Sequence, residues 1–179
     1  MGRADERVVA VFGSSGPREG EEAYEQARSA GGELARLGYL VANGGYGGTM
    51  EAVSRGAVEA GGAAMGVVCS VWKARPNRYV QHVVTTASLA ERVQCLVELG
   101  SSGWLVLPGA TGTLVELAWV WERLCKGLMP RRPLVCLGEF WRPVIDLMAA
   151  ARPRSERVIS VIRRPEELAG PFPPDRWLA

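Results

Sequence analysis

Two residue types are scarce in this chain of 179 residues, and each scarcity closes off a class of chemistry. Lys73 and Lys126 are the only lysines, and neither lies in a GxxxxGK[ST] loop, which excludes ATP hydrolysis of the Walker A kind. Nor does either sit in a motif that would support a pyridoxal phosphate Schiff base, so lysine-decarboxylase chemistry has no anchor. His82 is the single histidine. It falls in an irregular segment with no nucleophile elbow beside it, so a Ser-His-Asp triad has no support and His82 reads as structural or exposed.

Cysteine is sparse and dispersed. Cys69, Cys95, Cys125 and Cys136 form no CxxC pair, so zinc and a disulfide framework are not expected, whereas buried thiols in a reducing cytosol are. No apolar run approaches the roughly 18 residues of a membrane span, and the opening "MGRADERVVAVFG" lacks the apolar stretch of a signal peptide. The expectation is a cytoplasmic protein with no membrane partner. A formal net charge of +2 argues against nucleic acid as a partner. Arginine supplies nearly all the positive charge and suits bidentate contacts to phosphate or carboxylate.

What is present is an apolar content of 47%, enough for one domain over 1–179 with its core at about 8–168. Short apolar, β-branched runs alternate with segments of helical period. Strands are expected at 8–13, 39–43, 63–68, 103–108, 133–137 and 157–162, and helices near 20–37, 49–61, 88–100, 113–127 and 140–151, with a short last one from Pro165. Strands apolar throughout require burial on both faces. The fold class is therefore a Rossmann-like α/β three-layer sandwich, a mainly parallel sheet with helices on both faces. The connection 69–87 exceeds the usual length and reads as a functional loop or lid. Ser88 in "SLAE" and Thr113 in "TLVE" fit the capping box, and Pro165 with Glu166 and Glu167 fits a helix start.

In an open parallel sheet all strand ends reach one edge, where ligands bind at the topological switch point. Three permissive loops arrive there: "FGSSGPREG", "NGGYGGTMEA" and "PGATGTLVE". Each leads into a helix whose free N–H groups can cradle an anion, a nucleotide phosphate above all. The first lacks the dinucleotide fingerprint, and Asn43 replaces the acid expected after the second strand, which argues against NAD.

Taken in order, these residues resemble the Lonely Guy (LOG) family of nucleotide phosphoribohydrolases, often mislabelled as lysine decarboxylases. The family signature P-G-G-x-G-T-x-x-E appears as Pro108-Gly109-Ala110-Thr111-Gly112-Thr113-Leu114-Val115-Glu116, with alanine for the second glycine. Its glycine-rich companion appears as Gly44-Gly45-Tyr46-Gly47-Gly48-Thr49-Met50-Glu51-Ala52, and "SLAERVQCL" offers Arg92 as the family's arginine. Val93 and Val115 depart from the plant cytokinin-activating pattern, and "GGYGGTMEA" is closer to bacterial members and to the related molybdenum-cofactor carriers.

The resemblance implies hydrolysis of the N-glycosidic bond of a nucleoside 5′-monophosphate, without metal or cofactor, in a homodimer. Glu116 would position water and stabilise an oxocarbenium-like sugar, and Arg92 would clamp ribose or phosphate. Gly109, Ala110, Thr111, Gly112 and Thr113 would bind the phosphate. Gly13, Ser14 and Ser15, and Gly45, Gly47, Gly48 and Thr49, would contribute from the other two loops. The rival is a carrier or sensor of a nucleotide-like ligand such as molybdenum cofactor.

Structural readings stand beside these roles. Glu116 also fits as the capping partner of Thr113, Arg92 as an exposed ion-pairing residue, and Glu51 as a first-turn acid balancing the helix dipole. Trp119 and Trp121, two apart, lie on different helical faces, one toward the core, and the dimer that the resemblance implies would take the other at a subunit interface.

Overall fold

The computed structural model describes residues 7–174. Seven strands, β1 (Val8–Phe12), β2 (Leu40–Asn43), β3 (Ala64–Cys69), β4 (His82–Thr86), β5 (Gly103–Val106), β6 (Leu134–Leu137) and β7 (Ile159–Ile162), form one sheet in the order 4-3-2-1-5-6-7. Every pairing is parallel. Helices α1 (Glu22–Arg36), α2 (Thr49–Glu59), α3 (Leu89–Leu99), α4 (Thr111–Cys125) and α5 (Arg142–Ala151) are joined by 3-10 turns at Ser155–Val158 and Pro165–Ala169. The expected Rossmann-like architecture is what the chain adopts.

Strand parity divides the core in two. Val9, Val11, Leu105 and Leu107 pack with Leu34 of α1 and Val53 of α2 on one face. Ala10, Phe12, Trp104 and Val106 pack on the other with Leu96 of α3 and Leu117 of α4. Both sides of β1 and β5 are thus dry, which explains their uninterrupted apolar runs. Among the described residues no helix is long and apolar enough to cross a membrane.

Two expectations need correction. The connection 69–87 is not wholly irregular, because β4 lies within it and pairs with β3 from Met65↔His82 to Cys69↔Thr86. An edge strand has one neighbour, and His82, Val83 and Thr85 are exposed, so the double-sided apolar signature is missing. The second concerns α4, which begins at Thr111 with Ala110 as its N-cap. Thr113 is buried in the first turn and does not open the helix, so the capping box with Glu116 is not formed. At α3 the cap does form: Ser88 Oγ accepts the Glu91 N–H, and Glu91 reaches back to the N–H of Ala87.

Candidate active site

The sheet order places β1 between β2 and β5, so the loops after these three strands converge at one edge. Their mutual packing is specific. Thr49, fully buried at the start of α2, accepts the Ser14 N–H at 2.9 Å and donates to Ser14 O at 3.1 Å, stapling the first loop to the second. At Gly48 φ is +70°, and an added Cβ would stand 2.2 Å from Ser14 O, so the crossing requires glycine. Asn43, also fully buried, accepts the Gly45 N–H and donates to Ser54 Oγ. The amide at this strand end therefore shapes the second loop.

These loops surround a cavity of about 420 Å3. Its lining includes Gly13, Ser14 and Ser15, with Ala110, Gly112 and Thr113 at the start of α4. Tyr46, Met50, Trp72 and Ala74 line it as well. Arg92 from α3 and Glu116 from α4 complete the wall, as does Gly44.

Arg92 is 7% exposed and anchored to backbone: Nε donates to Val67 O at 2.8 Å, and Nη2 to Gly44 O at 3.1 Å. Its third nitrogen, Nη1, lies 3.8 Å from Glu116 Oε1, an ion pair without a close hydrogen bond. The guanidinium carbon also lies 5.5 Å from the centroids of both Tyr46 and Trp72. Gly44 makes room for this arrangement, since a Cβ there would meet Nη2 at 1.9 Å.

Glu116 is 6% exposed. Burial raises its carboxyl to about pH 7 against an ordinary value of 4.5, and the nearby Arg92 charge offsets only part of that rise. A carboxyl poised near neutrality in a cleft, beside a fixed cation and with no strong partner of its own, is equipped to exchange protons with a ligand or water. Neither the exposed Arg92 nor the capping Glu116 survives as an alternative.

Of the other residues singled out by sequence, Gly13, Ser14, Ala110, Gly112 and Thr113 meet at the cavity. Gly45, Gly47, Gly48, Thr49, Gly109 and Thr111 stand outside its lining and shape the loops around it. Thr49 in particular is spent on Ser14. Ala110 replaces a signature glycine without strain, because its φ of −97° suits any L-residue. Tyr46 and Met50 carry no site role in the sequence although they stand in the glycine-rich motif, and Trp72 and Ala74 lie outside every motif; an aromatic in each of two loops bound for the same edge is the available signal. Among the described residues no group of three or more His, Cys, Asp or Glu could hold a metal.

A profile of the SLOG cluster4 family matches residues 6–163. The chain belongs to the SLOG cluster4 family. The LOG-type resemblance of its motifs is therefore one of kinship. Two relatives named cytokinin riboside 5′-monophosphate phosphoribohydrolase, from Mycobacterium tuberculosis and Mycobacterium marinum, are each 34% identical over 117 residues, or 64% of this chain. The match takes in 62% of each relative's length. Among solved structures, the molybdenum cofactor binding protein of Rippkaea orientalis superposes with a TM-score of 0.76 at 22% identity, covering 94% of this chain and 96% of that one. The molybdenum cofactor carrier protein of Chlamydomonas reinhardtii gives 0.73 at 19%, covering 92% and 94%. At such identities this SLOG cluster4 protein shares their fold.

Proposed function

We propose that the protein hydrolyses the N-glycosidic bond of a nucleoside 5′-monophosphate, releasing free base and ribose 5-phosphate. The observation that carries this reading is the buried Arg92–Glu116 pair, with Glu116 raised to about pH 7, in the wall of one cavity that Tyr46, Trp72 and the start of α4 also line. The phosphate lies against the Ser14 loop and the α4 N-terminus, where free amides and the dipole favour an anion. The ribose then spans the pair. As C1′–N cleaves, ionised Glu116 faces the positive charge growing on the sugar and takes a proton from the water that adds to C1′; the departing base nitrogen receives a proton from solvent. Arg92, permanently charged, holds Glu116 and the sugar in place and moves no proton.

The second reading is a carrier of a nucleotide-like ligand such as molybdenum cofactor, the ligand named for two structural neighbours, one called a binding protein and the other a carrier protein. Incubation with AMP, GMP, CMP, UMP and an N6-substituted AMP, followed by chromatography for free base, separates the two. Base release that disappears in Glu116→Ala and Arg92→Ala supports hydrolysis; binding without release across the panel supports the carrier.

The assembly we propose is a homodimer through the outer faces of α3 and α4, in the cytoplasm. Leu89, Val115 and Trp119 are exposed together there. Glu91 and Glu98 border this surface along α3, with Glu122, Arg123 and Lys126 along the end of α4.

A further inference from the structure

The end of β3 gathers three side chains that the sequence keeps far apart. Arg92 Nε donates to Val67 O at 2.8 Å; two residues further on, the Cys69 N–H donates to the Tyr46 hydroxyl at 2.9 Å, and Cys69 O accepts the Trp72 N–H at 3.2 Å in a turn. Asn77 fastens the two ring-bearing loops a second time, donating from its backbone and its side chain to Gly45 O, and from its side chain to Tyr46 O. The rings meet edge to face, with centroids 5.8 Å apart and planes at 75°. The Arg92 guanidinium carbon lies 5.5 Å from each centroid.

A guanidinium so placed is drawn in two directions. On one side are the carbonyls of Val67 and Gly44 and the electron-rich rings of Tyr46 and Trp72. On the other is the Glu116 carboxylate, whose Oε1 stands 3.8 Å from Nη1, well beyond the roughly 2.8 Å of a charge-assisted hydrogen bond. Two opposite charges this close in a nearly dry wall attract strongly, so the open gap needs something that holds the arginine back. Among the described residues lining the cavity only Tyr46, Arg92 and Glu116 titrate, and the Tyr46 hydroxyl is engaged by both backbone groups of Cys69. The position of Arg92 therefore sets the charge that Glu116 faces.

We propose that Trp72 is a positioning residue that acts through Arg92: its ring, with that of Tyr46, keeps the guanidinium on the carbonyls of Val67 and Gly44 and prevents it from closing on Glu116. The carboxyl is thereby left without a close partner and free to exchange a proton. The bearing of this on base release rests on the hydrolase reading above; the placement of the arginine does not. Of the two rings Trp72 is the one to alter, because Tyr46 also bonds to the end of β3 whereas the Trp72 side chain is 41% exposed and its truncation disturbs little packing.

Carbon-13 NMR titration of the Glu116 carboxyl in the ligand-free protein, assigned by its loss in Glu116→Gln, tests this in wild type, Trp72→Leu and Trp72→Phe. Leucine keeps an apolar side chain without the ring quadrupole, and phenylalanine retains one. In Trp72→Leu the guanidinium closes on the carboxylate and favours its ionised form, so the Glu116 midpoint should fall by about one pH unit, a tenfold loss of proton affinity. Trp72→Phe should recover at least about half of that shift. Melting curves check that each variant is folded. A midpoint in Trp72→Leu equal to or above that of wild type, or an equal fall in Trp72→Phe, overturns the inference. Where base is released, the rising limb of kcat/KM should move to lower pH in Trp72→Leu by the same amount as the midpoint. A shifted midpoint with no base release from any nucleotide upholds the positioning role and counts against the hydrolase reading alone.

Discussion

Arg92 Nη1 and Glu116 Oε1 stand 3.8 Å apart in a nearly dry wall, one carried by α3 and the other by α4. Arginine's short contacts go to the carbonyls of Val67 and Gly44, which keeps the carboxylate facing a fixed charge that does not saturate it. Most of the expected behaviour of the protein follows from this pair.

Glu116 should lower stability at neutral and alkaline pH. Its folded-state value of about 7 exceeds the ordinary 4.5, so between those values the folded chain holds a proton that the unfolded chain has released. Stability from this group is therefore present at acid pH and declines as pH rises through 7, by on the order of 3 kcal/mol in all. Urea denaturation of Glu116→Gln should show a gain over wild type at about pH 8 and none at about pH 4.5.

The same ionisation should govern turnover. If ionised Glu116 assists the attack of water, kcat/KM for base release rises with pH through an apparent value of about 7. Because the Arg92 charge lowers the Glu116 value, Arg92→Met should displace this limb to higher pH, besides costing roughly 100-fold in rate. A limb that stays where it was in the variant belongs to another group.

Gly44 should tolerate no side chain without loss of activity. A Cβ would stand 1.9 Å from Arg92 Nη2 and 2.5 Å from Met50 Sδ, forcing the guanidinium off its carbonyl. Gly44→Ala is expected to cost about 1–3 kcal/mol in stability and, by misplacing Arg92, roughly 100-fold in kcat/KM. Thermal melts and base-release assays on one preparation separate the two effects.

Asn43→Asp should destabilise the fold. The amide donates to Ser54 Oγ in a fully buried setting, so a carboxylate there loses that bond and brings an unpaired charge into the interior. A loss on the order of 3 kcal/mol at neutral pH, read from urea midpoints and recovered in part at acid pH, is the expected outcome.

Trp119→Glu should turn the proposed dimer into a monomer. Trp119 is 48% exposed beside Leu89 and Val115, so glutamate costs the isolated chain little but places charges in an apolar contact. Light scattering after size exclusion should find two chains in wild type and one in the variant; an unchanged mass rejects this face as the interface.

Much of the architecture was written in local pattern. β1 and β5 are buried on both faces and read as unbroken apolar runs, so their positions and the loops at their ends followed from the sequence, as did Glu116 as a candidate once "PGATGTLVE" was in view. β4 was hidden because an edge strand needs apolar residues on fewer faces. The start of α4 is not legible in the sequence, because Thr113 has the chemistry of a cap, yet Ala110 holds that position.

Only the tertiary structure decided the surroundings of Arg92, Glu116, Thr49 and Trp72. The letters of Glu116 suit a helix cap as well as a proton-exchanging carboxyl; burial against Arg92, a contact between two helices, separates the readings. Thr49 passes from ligand to staple because Ser14 comes within hydrogen-bond reach of it across the sheet edge. Trp72 meets Tyr46 edge to face at the cavity, where Asn77 binds its loop to the one that carries Tyr46. A strand or a helix follows from the periodicity of its own residues, whereas burial and charge proximity arise between segments far apart in the chain, and those set the chemistry of this site.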